Sequence, residues 1–167
     1  NEACRGFFEG RFPTWTPGIL LGAPTAEVGL LGLTYPPTYV AHWIAGRWLG
    51  DENLTIEVYA WGHLLACYLA TFWLGIEIGL SPPLCAAAGL SFSLCGFNLI
   101  AGRAWACMFP TFVWFPLTML SAARLNRGRA GWRWLGATGL AIGIAFHGGN
   151  AQMWAYTMMF YVLCVML

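Results

Sequence analysis

From Thr55 to Leu167 the chain is a series of apolar runs separated by short turns, and this limits its folds more than any other feature. Five runs are legible: 55–78, 83–100, 105–124, 132–147 and one that starts near Ala151 and is cut off at the last residue. A membrane helix needs about 20 predominantly apolar residues, and the first run, TIEVYAWGHLLACYLATFWLGIEI, has that length. The second is rich in Ala, Gly and Ser, a composition that lets neighbouring helices approach closely. The third carries Pro110 and Pro116 and is expected to kink. Composition agrees, since 59% of residues are hydrophobic and 9% charged, whereas roughly a quarter are charged in soluble domains. The expected fold class is all-α, a polytopic transmembrane helical bundle.

Residues 1–54 have a different character. NEACRGFFEGRF alternates charge with Phe and reads as a short amphipathic lead-in. Gly10 to Pro37 is too punctuated to span a membrane, because Pro13, Pro17 and Pro24 each remove a backbone donor. It is also too apolar for an ordinary loop, with Trp15, Ile19, Leu20, Leu21, Val28, Leu30 and Leu31. Thr38 to Leu49 has apolar residues at helical spacing with His42 and Arg47 on other faces. It is too short to span and is expected to lie as an interfacial helix. GDEN at 50–53 is a turn, with Asn53 or Thr55 as the expected cap of the next helix. The chain thus divides into an outer region with an interfacial helix, 1–54, and about five transmembrane helices, 55–167.

Charge supplies an orientation. The chain has no Lys, and Arg124, Arg127, Arg129 and Arg133 make up half of its eight Arg. Cytoplasmic loops concentrate Arg and Lys, so 125–133 is expected in the cytoplasm. Counting spans from there puts residues 1–54, Asn98–Arg103 and the His147–Asn150 turn together on the outer face. A nucleic-acid partner has no support, because no basic aromatic surface occurs outside that Arg run. The six Cys lie mostly inside apolar runs with no CxxC and no Cys/His cluster, which indicates buried thiols rather than a zinc or disulfide framework. A start at Asn1 and an end within an apolar run are expected of the middle of a longer protein.

Few residues can carry chemistry. Glu27 is the only acid between Glu9 and Asp51. A partly desolvated carboxylate there suits a catalytic base or a metal ligand, or it pairs with Arg47 or Arg103. His147, Asn150 and Gln152 crowd one turn, FHGGNAQMW, where Gly148 and Gly149 would let the backbone approach a ligand. The bland alternative is a polar turn at the water interface. Arg103 in AGRAW suits bidentate phosphate binding or an interfacial anchor. His63 lies roughly 12 Å into the first run at 1.5 Å per residue. It could hydrogen-bond across helices, face a substrate cavity, or ligate a haem or chlorophyll metal. Glu57 and Glu77, near the two ends of that run, are expected at the interfaces. No Walker loop, GxSxG, HExxH or dinucleotide fingerprint occurs.

The run Gly10-Arg11-Phe12-Pro13-Thr14-Trp15-Thr16-Pro17, followed by Gly22-Ala23-Pro24 and Tyr35-Pro36-Pro37, resembles the first outer loop of bacterial GT-C-type membrane glycosyltransferases, above all the YfhO-like members. His63, and Gly149-Asn150-Ala151-Gln152 in place of a G-H-P-Q/E turn, add to the likeness. The resemblance implies a GT-C-like enzyme of the bacterial inner (plasma) membrane that takes a sugar from a polyprenyl-phosphate donor on the outer face. It implies an acidic base or metal ligand in the first outer loop. That role falls to Glu27 in this sequence or to an Asp upstream of it, and a divalent metal remains one option. Arg103, His147, Asn150, Gln152 and His63 would then hold the phosphate or sugar. The rival expectation is a non-catalytic transmembrane subunit of a larger membrane complex, with tetrapyrrole pigments or haem as cofactors. A transporter is a third, and no internal repeat supports it.

Overall fold

The computed structural model describes residues 2–10, 15–16, 23–24, 34–104, 108–148 and 150–166. Ahead of the apolar runs come α1 (Glu2–Phe8), an antiparallel pairing of β1 (Trp15–Thr16) with β2 (Ala23–Pro24), and α2 (Pro36–Arg47). Pro36 and Pro37 occupy the first turn of α2, where a missing backbone donor costs nothing. Tyr39, Ala41, His42 and Ala45 form its buried face. The expectation that His42 stands on another face is therefore corrected. Its ring stacks on Phe8, and its Nδ1 lies 3.1 Å from the Thr55 hydroxyl. That hydroxyl donates its own proton to the Glu52 carbonyl, so His42 Nδ1–H is the donor. The cap before the next helix is also neither expected residue. Asp51 accepts the Asn53 N–H at 2.9 Å and opens a 3-10 turn at Glu52–Leu54.

The five apolar runs become six helices: α3 (Thr55–Ile78), α4 (Pro82–Ser93), α5 (Gly96–Ala104), α6 (Phe109–Asn126), α7 (Trp132–Phe146) and α8 (Ala151–Met166). Gly79 ends α3 with a left-handed φ of 95°, a conformation that favours glycine, and Leu80 N–H returns to the Gly75 carbonyl. The added boundary falls inside the second run, 83–100, whose composition predicts a single span. Asn98 explains the break. Its buried side chain turns back from α5, and Nδ2 donates to the Phe92 carbonyl at 2.6 Å and the Ser93 carbonyl at 3.5 Å. Those acceptors lose their helical partners where α4 stops. α6 runs unbroken through Pro116, with Pro110 in its first turn.

α3 is the axis of the fold. At 1.5 Å per residue, its 24 residues extend about 36 Å, and it packs against α2, α4 and α6. The approach to α4 is close: a Cβ on Gly75 would lie 2.8 Å from Cys85 Sγ, and one on Gly89 2.8 Å from the Tyr68 ring. This is the tight packing expected of the small-residue run. α6 carries the fold outward to α7 and α8. Ser121 donates to Thr138 Oγ1 at 2.7 Å, since Thr138 spends its own proton on the Trp134 carbonyl. The core gathers Tyr35, Tyr59, Leu64, Cys67, Phe109 and Val113. Cys4, Cys67 and Cys85 are buried free thiols. Among the described residues one helical stretch, Glu52–Ile78, is long and apolar enough to cross a membrane.

Candidate functional site

Tyr35 stands immediately before α2, and the Pro36-Pro37 start of that helix directs the chain so that the phenol drops between α3 and α6. It is 1% exposed. Its hydroxyl lies 2.9 Å from His63 Nε2, and Trp114 Nε1–H of α6 donates to the same oxygen at 3.1 Å. His63 Nδ1 is 2.7 Å from the Tyr59 carbonyl. A carbonyl only accepts, so Nδ1 carries the ring proton and Nε2 accepts from Tyr35. The order of donation is therefore Trp114 to Tyr35 to His63 to Tyr59, with a neutral imidazole and no formal charge. Burial pushes the Tyr35 phenol pKa above its ordinary value, which keeps the donor protonated at neutral pH.

This network forms one wall of a groove of about 530 Å³ between α2, α3 and α6, with Ile144 of α7 at its edge. Val40, Ile44, Val58, Gly62, Val113 and Leu117 supply much of the lining. The volume falls within the roughly 300–1,000 Å³ of small-ligand pockets. Because its few polar groups already satisfy one another, the groove can take hydrocarbon but offers no charge to hold an anion. Nor does His63 suit a haem or chlorophyll metal, since both ring nitrogens are committed to protein partners.

The other expected site residues are distributed unevenly. Glu27 lies outside the described residues. Arg103 falls in α5, and its side chain lies outside them as well. His147 Nδ1 is 2.9 Å from Thr34 Oγ1, so the end of the opening stretch does meet the α7–α8 turn. Asn150 caps α8 by accepting the Met153 N–H at 2.9 Å, and its Nδ2 lies 3.2 Å from Met108 Sδ. Gln152 turns aside to Tyr156 Oη, an exposed pair within α8. Gly148, expected to make room for a ligand, makes room for protein: a Cβ there would lie 2.5 Å from Pro110. Thr34, the start of α6 and the α7–α8 turn thus share one end of the bundle, while the Gln152 side chain there is engaged with Tyr156. Among the described residues no three His, Cys, Asp or Glu side chains come together as a metal site.

The opposite end of α3 holds a cluster that is not evident from the spacing of its residues in the sequence. Glu77, expected at an interface, is buried and accepts from Arg124 Nε at 2.9 Å and Arg129 Nη1 at 3.3 Å. Arg127 Nη1 donates to its main-chain carbonyl. Tyr35 and Trp114 were missed too. Tyr35 had one signal, its place before two prolines, whereas Trp114 was one of ten Trp with nothing to mark it. Compared with known proteins, the chain matches no family model, no curated protein and no solved structure.

Proposed function

We propose that this chain is a polytopic membrane protein that holds the hydrocarbon of a lipid-linked sugar in the groove beside Tyr35, as a glycosyltransferase using a polyprenyl-phosphate donor. The observation that carries the reading is the groove itself, an apolar channel of about 530 Å³ whose polar wall groups are spent on one another. Exposed Trp61, Leu65, Trp73 and Leu140 on α3 and α7 support a bilayer surround. The Thr34–His147 contact supports a meeting of the opening stretch with the α7–α8 turn on the outer face. In this reading the acceptor hydroxyl passes its proton to a loop carboxylate, Glu27 in this chain, as its oxygen bonds to the anomeric carbon. The bond from that carbon to the lipid phosphate breaks, and the phosphate leaves with the electron pair. Arg103 faces the phosphate in that scheme.

Gly62 offers the direct test, because it lines the groove and a Cβ there meets open space. Gly62→Phe should fold normally, fill the groove and weaken binding of a radiolabelled polyprenyl phosphate by tenfold or more, equivalent to about 1.4 kcal/mol. Unchanged binding in the variant, or no binding by the wild type, overturns the reading. One observation favours a second reading, a subunit of a larger membrane complex: α7 and α8 each bury a single residue, Thr138 and Thr157. Cross-linking in native membranes separates the two, since a subunit joins a partner chain through α7 or α8 and a self-contained enzyme does not.

A further inference from the structure

We infer that the end of the bundle formed by Glu77 and the Arg124–Arg133 segment is a docking site for the phosphate of an anionic phospholipid, a site that rests on the membrane reading above and lies at the opposite end of α3 from Tyr35. Charge in this cluster is unbalanced. Arg124, Arg127 and Arg129 converge on Glu77, and Arg133 follows with its guanidinium 5.3 Å above the Trp132 ring. Three guanidinium groups meet one carboxylate there, and no Asp or Glu occurs anywhere from 78 to 167.

Donors also outnumber acceptors. Each guanidinium has five N–H groups, while the cluster supplies one carboxylate and the Glu77 carbonyl. Arg129 is 67% exposed and Arg127 42%, so part of each fork faces outward. Arg124 stacks on Trp134 at 4.2 Å, and the buried indole N–H of that ring finds no acceptor among the described residues. A planar fork with unused donors suits a phosphate oxygen pair better than a point cation would.

The surround selects a lipid over a free anion. Trp132 is 78% exposed beside the cluster, and Ile76, Ile78 and Leu135 continue an exposed apolar border along α3 and α7. Aromatic and Arg side chains at the edge of an apolar band are the pattern of the headgroup level. Juxtamembrane Arg residues are attracted to anionic leaflets. The lipid phosphate completes the Arg cluster, and its acyl chains lie along the apolar border.

The test uses the full chain in neutral detergent, with phosphatidylglycerol, phosphatidylcholine and inorganic phosphate added separately. Saturating phosphatidylglycerol should raise Tm by about 5 °C, and the other two should leave it unchanged. The double variant Arg127→Gln/Arg129→Gln keeps the Arg124–Glu77 pair. It should bind phosphatidylglycerol about 25-fold more weakly at unchanged lipid-free Tm. Glu77→Gln should instead tighten lipid binding by unmasking Arg124 and Arg129, a direction that loss of structure would not produce. Equal stabilisation by phosphatidylcholine, a matching effect of inorganic phosphate, or wild-type lipid affinity in the double variant overturns the site. Should the double variant fail to fold, the comparison of added lipids on the wild type still decides. Alkaline carbonate extraction of expressing membranes is read beside it: release of the chain sinks the membrane reading, whereas retention without a phosphatidylglycerol effect sinks this site alone.

Discussion

The two ends of α3 solve the burial of polar groups in opposite ways. Near its start, Tyr35, His63 and Trp114 are neutral, each proton has a defined acceptor, and the groups lie in the core. Near its end, Glu77 meets three Arg whose charges exceed its own and which remain partly in contact with solvent. A neutral closed network costs little to desolvate and is intolerant of losing any member. A charged open cluster tolerates loss of an exposed member, responds to salt and has capacity left for an outside anion. The first arrangement specifies geometry and the second leaves room for a partner.

The largest effect should come from emptying the neutral end. His63→Ala removes packing and leaves the Tyr35 hydroxyl without its acceptor, at a cost of about 3 kcal/mol. Thermal melting should show a fall of roughly 6–12 °C for a chain of this size. A change below a degree or two would break the claim that this network is closed. Tyr35→Phe comes next, at about 2 kcal/mol, because it strands His63 Nε2 and Trp114 Nε1 while keeping the ring. It also carries a pH signature. The folded pKa of Tyr35 is raised, so its contribution is complete below the unfolded value of about 10. That contribution is lost as pH rises beyond 10, because the unfolded chain releases the proton first. The wild type should therefore lose more stability than Tyr35→Phe above pH 10.

Salt sharpens the contrast between the ends. Glu77→Gln should lower Tm at low ionic strength, and the gap to wild type should narrow as salt rises from about 0.1 M to about 1 M, where the Debye length falls to about 3 Å. The Tyr35→Phe gap should stay constant over the same range. If both gaps respond alike, the two ends are not physically different. Arg129→Gln should have the smallest effect on stability, within about 0.5 kcal/mol by denaturant titration, since its side chain is 67% exposed.

Legibility in the sequence followed the range of the interactions. The approximate limits of α3 were readable because a run of apolar side chains ends at Gly79, and the Ser81-Pro82-Pro83 turn restarts the chain. Most of the other helices were visible for the same local reasons. The α4–α5 break was not, because Ala, Gly, Leu and Phe continue through it and the decisive group, Asn98, acts by folding back on carbonyls that only a stopped helix exposes. At the candidate site, His63 was marked by being ionisable within an apolar run, but its partners were not. Tyr35 is 28 residues away from it, and Trp114 is 79 from Tyr35. Glu77 read as one more interfacial acid, because its nearest Arg partner lies 47 positions on.

From sequence alone the predominance of helix was legible, and so was the long apolar α3, since hydropathy, helix-breaking residues and turn glycines act over a few neighbours. The expectation of about five membrane spans goes beyond the one helical stretch, among the described residues, that is long and apolar enough to cross. Which polar groups meet depends on how the helices pack. Whether an imidazole becomes a metal ligand, a substrate contact or the middle of a neutral relay depends on which helix packs against its face. The placement of α6 along α3 brings Trp114 to Tyr35 at one end and the Arg cluster to Glu77 at the other.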